Sequence, residues 1–108
     1  MKDSESKIQA ECVKWYNNKY CLKFHKPRNI IFHVPNENQH FHVNLGVLGG
    51  VADLVLIHFG QLFFIEMKDH KGKQGAKQID FEERVKEHGI PYHLCRSLEE
   101  FKQIIEGL

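Results

Sequence analysis

Three polar residues lie at the ends of two neighbouring apolar segments of this 108-residue chain. Asp53 begins the segment 53–59, and Glu66 and Lys68 end the segment 62–68. Only two residues, 60 and 61, join these apolar segments, and so short a connection predicts an antiparallel hairpin. The hairpin brings Asp53 beside Glu66 and Lys68, which share one face because they are two residues apart on a strand.

Two carboxylates at such short range repel, and each favours a proton or a cation between them. Mg²⁺ and Mn²⁺ fit because hard cations take oxygen ligands, and the backbone carbonyl of Met67 is a further candidate ligand. A bound cation lowers the pKa of a water that it coordinates and binds a phosphate oxygen. Lys68 could orient that water or stabilise the charge that builds on the phosphate. The alternative is a surface ion pair between Glu66 and Lys68, the usual meaning of an isolated Glu-x-Lys.

Other elements supply polar residues that favour a site over an ion pair. The segment Gly49-Gly50-Val51-Ala52 precedes Asp53, and its glycines allow the backbone to approach a ligand closely. Glu5 and Gln78 fall on the apolar faces of predicted helices, where a polar side chain needs a partner. Glu11 lies near the edge of the same face as Glu5 and is the second candidate for an acid from the first helix.

The elements that must position these residues follow from apolar periodicity and turn residues. We predict helices over 4–20, 76–88 and 97–105, and strands over 30–34, 53–59, 62–68 and 92–95. Gly60-Gln61 is predicted to be the hairpin turn, and the Ser97-Leu98-Glu99-Glu100 sequence to cap the last helix. A short alternating segment is expected around Phe41 and Val43. The order α-β-β-β-α-β-α indicates an α/β fold with one mixed central sheet flanked by helices.

Length and composition bound the function classes. One domain, residues 1–108, is expected, and 42% hydrophobic with 27% charged residues excludes a disordered chain. No apolar run is long enough to predict a membrane span, and no secretion signal is expected. The three cysteines are widely spaced and predict buried thiols in a reducing compartment. The eight scattered histidines form no metal-ligand pattern.

The net charge of +1 is weak evidence for a nucleic-acid partner, but the charge is unevenly distributed. From Lys7 to Arg28 there are six lysines or arginines and Glu11 is the only acid. A second basic cluster follows the hairpin, and Asp69 is its only acid. These clusters are either solvated surfaces or two basic rims that grip a polyanion.

The joint pattern resembles the PD-(D/E)XK nuclease superfamily and, within it, the VRR-NUC family (virus-type replication and repair nuclease). The residues that carry the resemblance are Gly50-Val51-Ala52-Asp53, Phe64-Ile65-Glu66-Met67-Lys68, Gln78, Gly89-Ile90-Pro91-Tyr92 and Ser97-Leu98-Glu99-Glu100. It covers about Ser4 to Phe101. The residue before Asp53 is Ala52, where the name of the superfamily has proline.

The resemblance implies a restriction-endonuclease-like core and a divalent-metal-dependent DNA endonuclease. It implies that Asp53, Glu66 and the Met67 carbonyl hold Mg²⁺ or Mn²⁺ and that Lys68 positions water. Glu5 would support the metal, and Gln78 would orient Lys68 or the phosphate. The basic side chains expected on the DNA backbone are those of Lys71, Lys73 and Lys77.

The resemblance further implies a stand-alone phage or bacterial type, a role in DNA repair, and a location in the cytoplasm of a bacterial or phage-infected cell. A homodimer that cuts branched DNA such as Holliday junctions is expected, because a twofold pair can make two symmetric cuts. The segment 36–50 is a candidate arm for dimer or DNA contacts. The alternatives are a non-catalytic nucleic-acid binding module and an inactive structural member of the same fold.

Overall fold

Seven elements follow one another in the predicted order α-β-β-β-α-β-α. The computed structural model describes residues 2–35, 46 and 48–107. The bounds are α1 (Lys2–Tyr20), β1 (Ile30–His33), β2 (Leu54–His58), β3 (Gln61–Met67), α2 (Ala76–Glu87), β4 (Tyr92–Cys95) and α3 (Leu98–Glu106). Each element lies within two residues of its predicted bounds. The segment predicted around Phe41 and Val43, and most of the candidate arm 36–50, lie outside the described residues.

The four strands form one mixed sheet in the spatial order β1-β2-β3-β4. β1 pairs antiparallel with β2, β2 pairs antiparallel with β3, and β3 pairs parallel with β4. A parallel pair requires a crossover connection, which α2 supplies. The predicted α/β class and the hairpin are therefore confirmed. No helix among the described residues is long and apolar enough to span a membrane.

Side chains that alternate along β3 contribute to two separate apolar layers. Phe63, Ile65 and Met67 belong to the larger core, which α1 and α3 complete. The opposite face of β3 presents Phe64 and Glu66, and Phe64 packs with the smaller cluster from α2 and β4. Glu66 therefore lies in the layer between the sheet and α2, where a carboxylate must find polar partners.

The hairpin turn differs by one residue from the prediction of Gly60-Gln61. The turn residues are Phe59 and Gly60, both at positive φ (48° and 86°), and Gln61 already pairs with His58. Two positive φ values are the geometry of a type I′ turn, whose twist matches that of the strands. Phe59 is tolerated there because its N–H donates to Oδ1 of buried Asn29 at 2.7 Å.

Both later helices have side-chain contacts at their first turn. Gln78 Oε1 accepts the backbone N–H of Gly75 at 2.9 Å at the start of α2. The hydroxyl of Ser97 accepts the N–H of Glu100 at 3.1 Å, as the capping sequence predicted for α3. The three cysteines are free thiols; Cys12 and Cys95 are buried as predicted, whereas Cys21 is only half-buried.

Gly50 fixes the distance between the segment before β2 and the first turn of α2. Its φ is +81°, and a Cβ at this position would lie 2.3 Å from the carbonyl oxygen of Lys77 and 2.9 Å from the N atom of Gln78. Backbone atoms cannot move away as a flexible side chain can. This close approach therefore requires glycine, and it holds the residue before Gln78 against the strand that carries Asp53.

We predict that Gly50→Ala lowers the unfolding free energy by roughly 2 kcal/mol more than Gly89→Ala does. Gly89 follows α2 with a similar φ of +72°, but a Cβ there has no described atom within 4 Å. Both substitutions carry the cost of positive φ, and only the first adds a clash. Urea denaturation measures the difference, and equal costs for the two variants would contradict the close contact.

Candidate functional site

Asp53 lies directly before β2 and is held by backbone groups on both sides. Its carbonyl oxygen accepts the N–H of Val34 at 2.8 Å, from the residue that follows β1. Its Oδ2 accepts the backbone N–H of Met67 at 2.7 Å, from the end of β3. The hairpin thus places the Asp53 carboxylate next to Glu66, at the sheet edge where the sequence predicted it.

Glu66 is a buried carboxylate, 1% exposed, with a polar contact at each oxygen. Oε2 accepts a hydrogen bond from Nε2 of Gln78 at 2.7 Å and lies 3.7 Å from Nζ of Lys68. Oε1 accepts the O–H of Tyr92 at 3.2 Å. These contacts offset part of the cost of burying a carboxylate. The ion pair with Lys68 exists, but it is buried rather than on the surface.

Burial, and next the neighbouring Asp53, raises the pKa of Glu66 to about 8, although Lys68 and the Tyr92 hydroxyl act in the opposite direction. The pair therefore retains a proton near neutral pH when no other positive charge lies between the two groups.

Gln78 orients Glu66. Because its Oε1 accepts the N–H of Gly75, its Nε2 is directed towards Glu66. The expected role was to orient Lys68 or a phosphate, whereas the contact in this structure is with the carboxylate itself. The first turn of α2 therefore determines how the carboxylate of Glu66 is oriented.

Two further residues around Glu66 were missed by sequence reasoning. Nε2 of Gln74 donates to the Tyr92 hydroxyl at 3.2 Å and to Oε1 of Glu82 at 3.0 Å. With its oxygen accepting from Gln74, Tyr92 directs its own O–H to Glu66, and burial, then Glu66, raises the Tyr92 pKa. No local sequence pattern could have found Tyr92, because its place depends on the parallel pairing of β4 with β3, which sets it opposite Phe64 and on the Glu66 face.

Glu5 is half-buried near the start of α1 and interacts electrostatically with the site. Its pKa is raised by burial first and then by Asp53, whereas Lys68 lowers it. Glu11, the second candidate for an acid from the first helix, is exposed. Glu5 is therefore the candidate acid of α1 that lies within electrostatic range of Asp53 and Lys68.

The three lysines predicted to contact DNA are exposed and lie at the same sheet edge as Glu66. Lys71 and Lys73 belong to the loop between β3 and α2, and Lys77 lies in the first turn of α2. The loop is fixed at its start, because Asp69 accepts the N–H of Lys71 at 3.0 Å. Arg96 donates to two carbonyl oxygens of the loop at 2.7 and 2.8 Å.

The side chains that could bind a cation at this end of the sheet are the carboxylates of Asp53 and Glu66, with Glu5 as a third acid nearby. Within the described part of the chain, no group of three or more His, Cys, Asp or Glu side chains is arranged to hold a metal ion. Mg²⁺ typically uses one or two protein carboxylates and completes its shell with water and substrate phosphate oxygens. Asp53 and Glu66 satisfy that smaller requirement.

Two solved structures are similar to this chain over nearly its full length. One, described as a VRR_NUC domain, is 18% identical, covers 95% of both chains and has a TM-score of 0.69. The other, described as a VRR_NUC domain protein, is 20% identical, covers 94% of this chain and 84% of its own, and has a TM-score of 0.73. No family model and no curated protein sequence matches the chain. The chain therefore has the fold of VRR_NUC domains, as expected from the residue pattern.

We predict that Asp53→Asn stabilises the protein at high pH and not at low pH. Folding raises the pKa of Glu66 from 4.5 to about 8, so the folded state binds the extra proton and loses stability as pH rises through that interval. Asparagine keeps an acceptor for Met67 and replaces the repelling carboxylate. In a metal-free buffer, the variant should melt roughly 5 °C above the native protein at pH 8.5 and equally at pH 4.5.

Asp80→Asn is the matched control, because Asp80 is an exposed acid that pairs with Arg84 on the surface of α2. Its effect on melting temperature should not change with pH in this way. The carboxylate interaction would be contradicted if the shift for Asp53→Asn were the same at both pH values.

Proposed function

We propose that this protein is a divalent-metal-dependent endodeoxyribonuclease that hydrolyses phosphodiester bonds. The observation that carries the proposal is the position of the Asp53 carboxylate, bonded to the N–H of Met67 beside the buried Glu66, with Lys68 Nζ 3.7 Å from Oε2 of Glu66. An acid pair can hold a divalent cation that activates water, and a nearby lysine can stabilise charge on the phosphate. The similarity to VRR_NUC domain structures supports a nuclease-type domain.

The residues present fit a divalent cation. Asp53 and Glu66 would hold it together with the carbonyl of Met67, and Glu5 would add negative charge nearby. Because the pair retains a proton with a pKa of about 8, a divalent cation can take the place of that proton. When bound, Mg²⁺ or Mn²⁺ would acidify a water and neutralise charge on the phosphate.

The remaining groups position the reacting ones. Lys68 is 13% exposed, so its ammonium group is partly shielded from solvent and its charge acts strongly on a nearby phosphate or attacking water. Gln78 and Tyr92 hold the two oxygens of Glu66 in fixed directions. This support keeps one carboxylate orientation available for the cation.

The DNA would run along the sheet edge that carries the acids. Lys71, Lys73 and Lys77 are exposed there and would contact phosphates on either side of the cut.

We further propose a homodimer that prefers branched DNA such as four-way junctions, because a domain of this size covers only a short duplex segment. A twofold pair would place two symmetric cuts.

The alternative is a non-catalytic nucleic-acid binding module of the same fold. Such a module would use the exposed lysines and would not need the acid pair. Acids on a DNA-binding face repel phosphate unless a cation intervenes. In a pure binder, Asp53→Asn should therefore leave DNA binding unchanged or tighten it, and divalent ions should have no effect on the DNA.

We predict that Lys68→Ala lowers the cleavage rate at least about 100-fold with either metal. The substrates are linear, nicked, flap and four-way-junction DNA, each with Mg²⁺ and with Mn²⁺. Lys68→Ala should keep the increase in melting temperature that the metal produces, because Asp53 and Glu66 remain. Cleavage by Lys68→Ala at the native rate would contradict the role of Lys68, and no cleavage of any substrate by the native protein would refute the nuclease.

We predict that Lys71→Ala and Lys73→Ala weaken DNA binding without altering the chemical step. Each removed phosphate contact should reduce the slope of log affinity against log salt by about 1. Competition binding at several salt concentrations measures the slope, and single-turnover cleavage at saturating protein measures the chemical step. Lys102→Ala, on α3, is the charge-matched control and should leave the slope unchanged.

A further inference from the structure

A second exposed surface lies at the end of the sheet opposite the acids. It consists of the rings of Phe24, His25 and Phe59 with the basic side chains of Lys23, Lys26 and Arg28, and is called here the hairpin-end surface. Phe59 begins the β2–β3 turn, and Glu66 lies near the other end of β3. Six strand residues at about 3.3 Å each separate the two ends by roughly 20 Å.

The aromatic part of this surface is unusually open to solvent. Phe24 is 73% exposed and Phe59 is 50% exposed. The ring of His25 lies between them, 4.6 Å from the Phe24 ring centroid and 6.1 Å from that of Phe59. Tyr20 and His58 lie next to Phe59 at 6.2 and 4.7 Å. The exposed rings therefore rest on other rings and are not isolated side chains.

The backbone holds these rings in place at some cost. Phe59 has a φ of 48°, a left-handed conformation that a bulky residue rarely adopts. Asn29, 5% exposed, accepts the Phe59 N–H at 2.7 Å and donates to the carbonyl of Tyr20 at 3.0 Å. Nε2 of His25 hydrogen-bonds the carbonyl of Lys19 at 3.0 Å. Both ring-bearing segments are thus tied to the end of α1.

The charge of the surface is positive, and no acid among the described residues pairs with it. The sequence from Cys12 to Pro35 contains five lysines or arginines and no acid. Lys23, Lys26 and Arg28 are exposed, and none forms an ion pair with a described residue. Exposed rings with cations around them match a single nucleic-acid strand, which offers base faces for stacking and phosphates for charge pairing.

We propose that the hairpin-end surface binds unpaired bases of DNA. A paired stretch of about six base pairs, at 3.4 Å each, spans the roughly 20 Å between this surface and Glu66. A DNA with a single-stranded part next to a short duplex would then contact both ends of the sheet. The position of the duplex rests on the proposed nuclease function, whereas binding of the unpaired bases does not.

The test compares the native protein with the double variant Phe24→Ser and Phe59→Asn. Asparagine accepts the positive φ of the turn, so the variant should fold, and its melting temperature checks this. Fluorescence anisotropy in EDTA measures affinity for a single strand, a blunt duplex and the same duplex with an unpaired tail. The variant should bind the single strand and the tailed duplex roughly tenfold or more weakly than the native protein does. Its affinity for the blunt duplex should be unchanged.

Phe32→Ser is the matched control, because Phe32 is an exposed phenylalanine, 48% exposed, on β1 and outside the surface. It should leave tail binding unchanged. A 2-aminopurine base in the tail adds a stacking signal, which the native protein should change and the double variant should not. Lys23→Ala with Lys26→Ala should reduce the salt slope for the tailed DNA by about 1.4, because each contact with a single strand contributes about 0.7.

Equal binding of tailed and single-stranded DNA by the native protein and the double variant would overturn the proposal. So would a loss of self-association in the double variant with unchanged DNA binding, because a second copy would then be the partner of the surface. Loss of tail binding in a protein that cuts no DNA would refute the nuclease and leave the hairpin-end surface established.

Discussion

A carboxylate buried beside a second carboxylate is costly unless a positive charge lies between them, and Glu66 is in that position beside Asp53. Burial, and then the charge of Asp53, raises the Glu66 pKa to about 8, so the pair retains a proton near neutral pH. Nothing in the apolar layer between the sheet and α2 requires an acid at Glu66. The neighbouring groups instead favour one orientation of that acid, through Gln78 on one oxygen and Tyr92 on the other. A site that stores a proton at neutral pH can exchange it for a cation.

The fold supplies this pair with few residues. The hairpin brings the start of β2 beside the end of β3, and the backbone N–H of Met67 holds the Asp53 carboxylate in place. The parallel strand β4 adds Tyr92, and the first turn of α2 adds Gln78. Gly50 permits the strand segment and α2 to approach each other without a side chain between them. The hairpin, β4 and the first turn of α2 therefore each place a residue at the same end of the sheet. The lysines proposed to bind DNA lie at that end too.

Much of the fold and of the acid pair could be predicted from the sequence because they depend on local patterns. The apolar runs around Asp53 and Glu66 set the hairpin, and periodicity sets the helices. The turn was misplaced by one residue because Phe59 adopts a positive φ that its residue type disfavours, and a distant side chain, Asn29, supports it. Tyr92 and the actual partner of Gln78 depend on the register between β3 and β4, which no local pattern specifies. The VRR-NUC resemblance is confirmed at the level of fold.

Calorimetric titration with Mn²⁺ tests the central interaction most directly. At pH 7, the native protein should bind the ion and release close to one proton per ion, measured from the binding enthalpy in two buffers that differ in ionisation enthalpy. Asp53→Asn, which removes one ligand and the repulsion that retains the proton, should show neither the binding nor the proton release. Binding without proton release, or equal binding by the native protein and Asp53→Asn, would contradict a carboxylate pair that exchanges its proton for a cation.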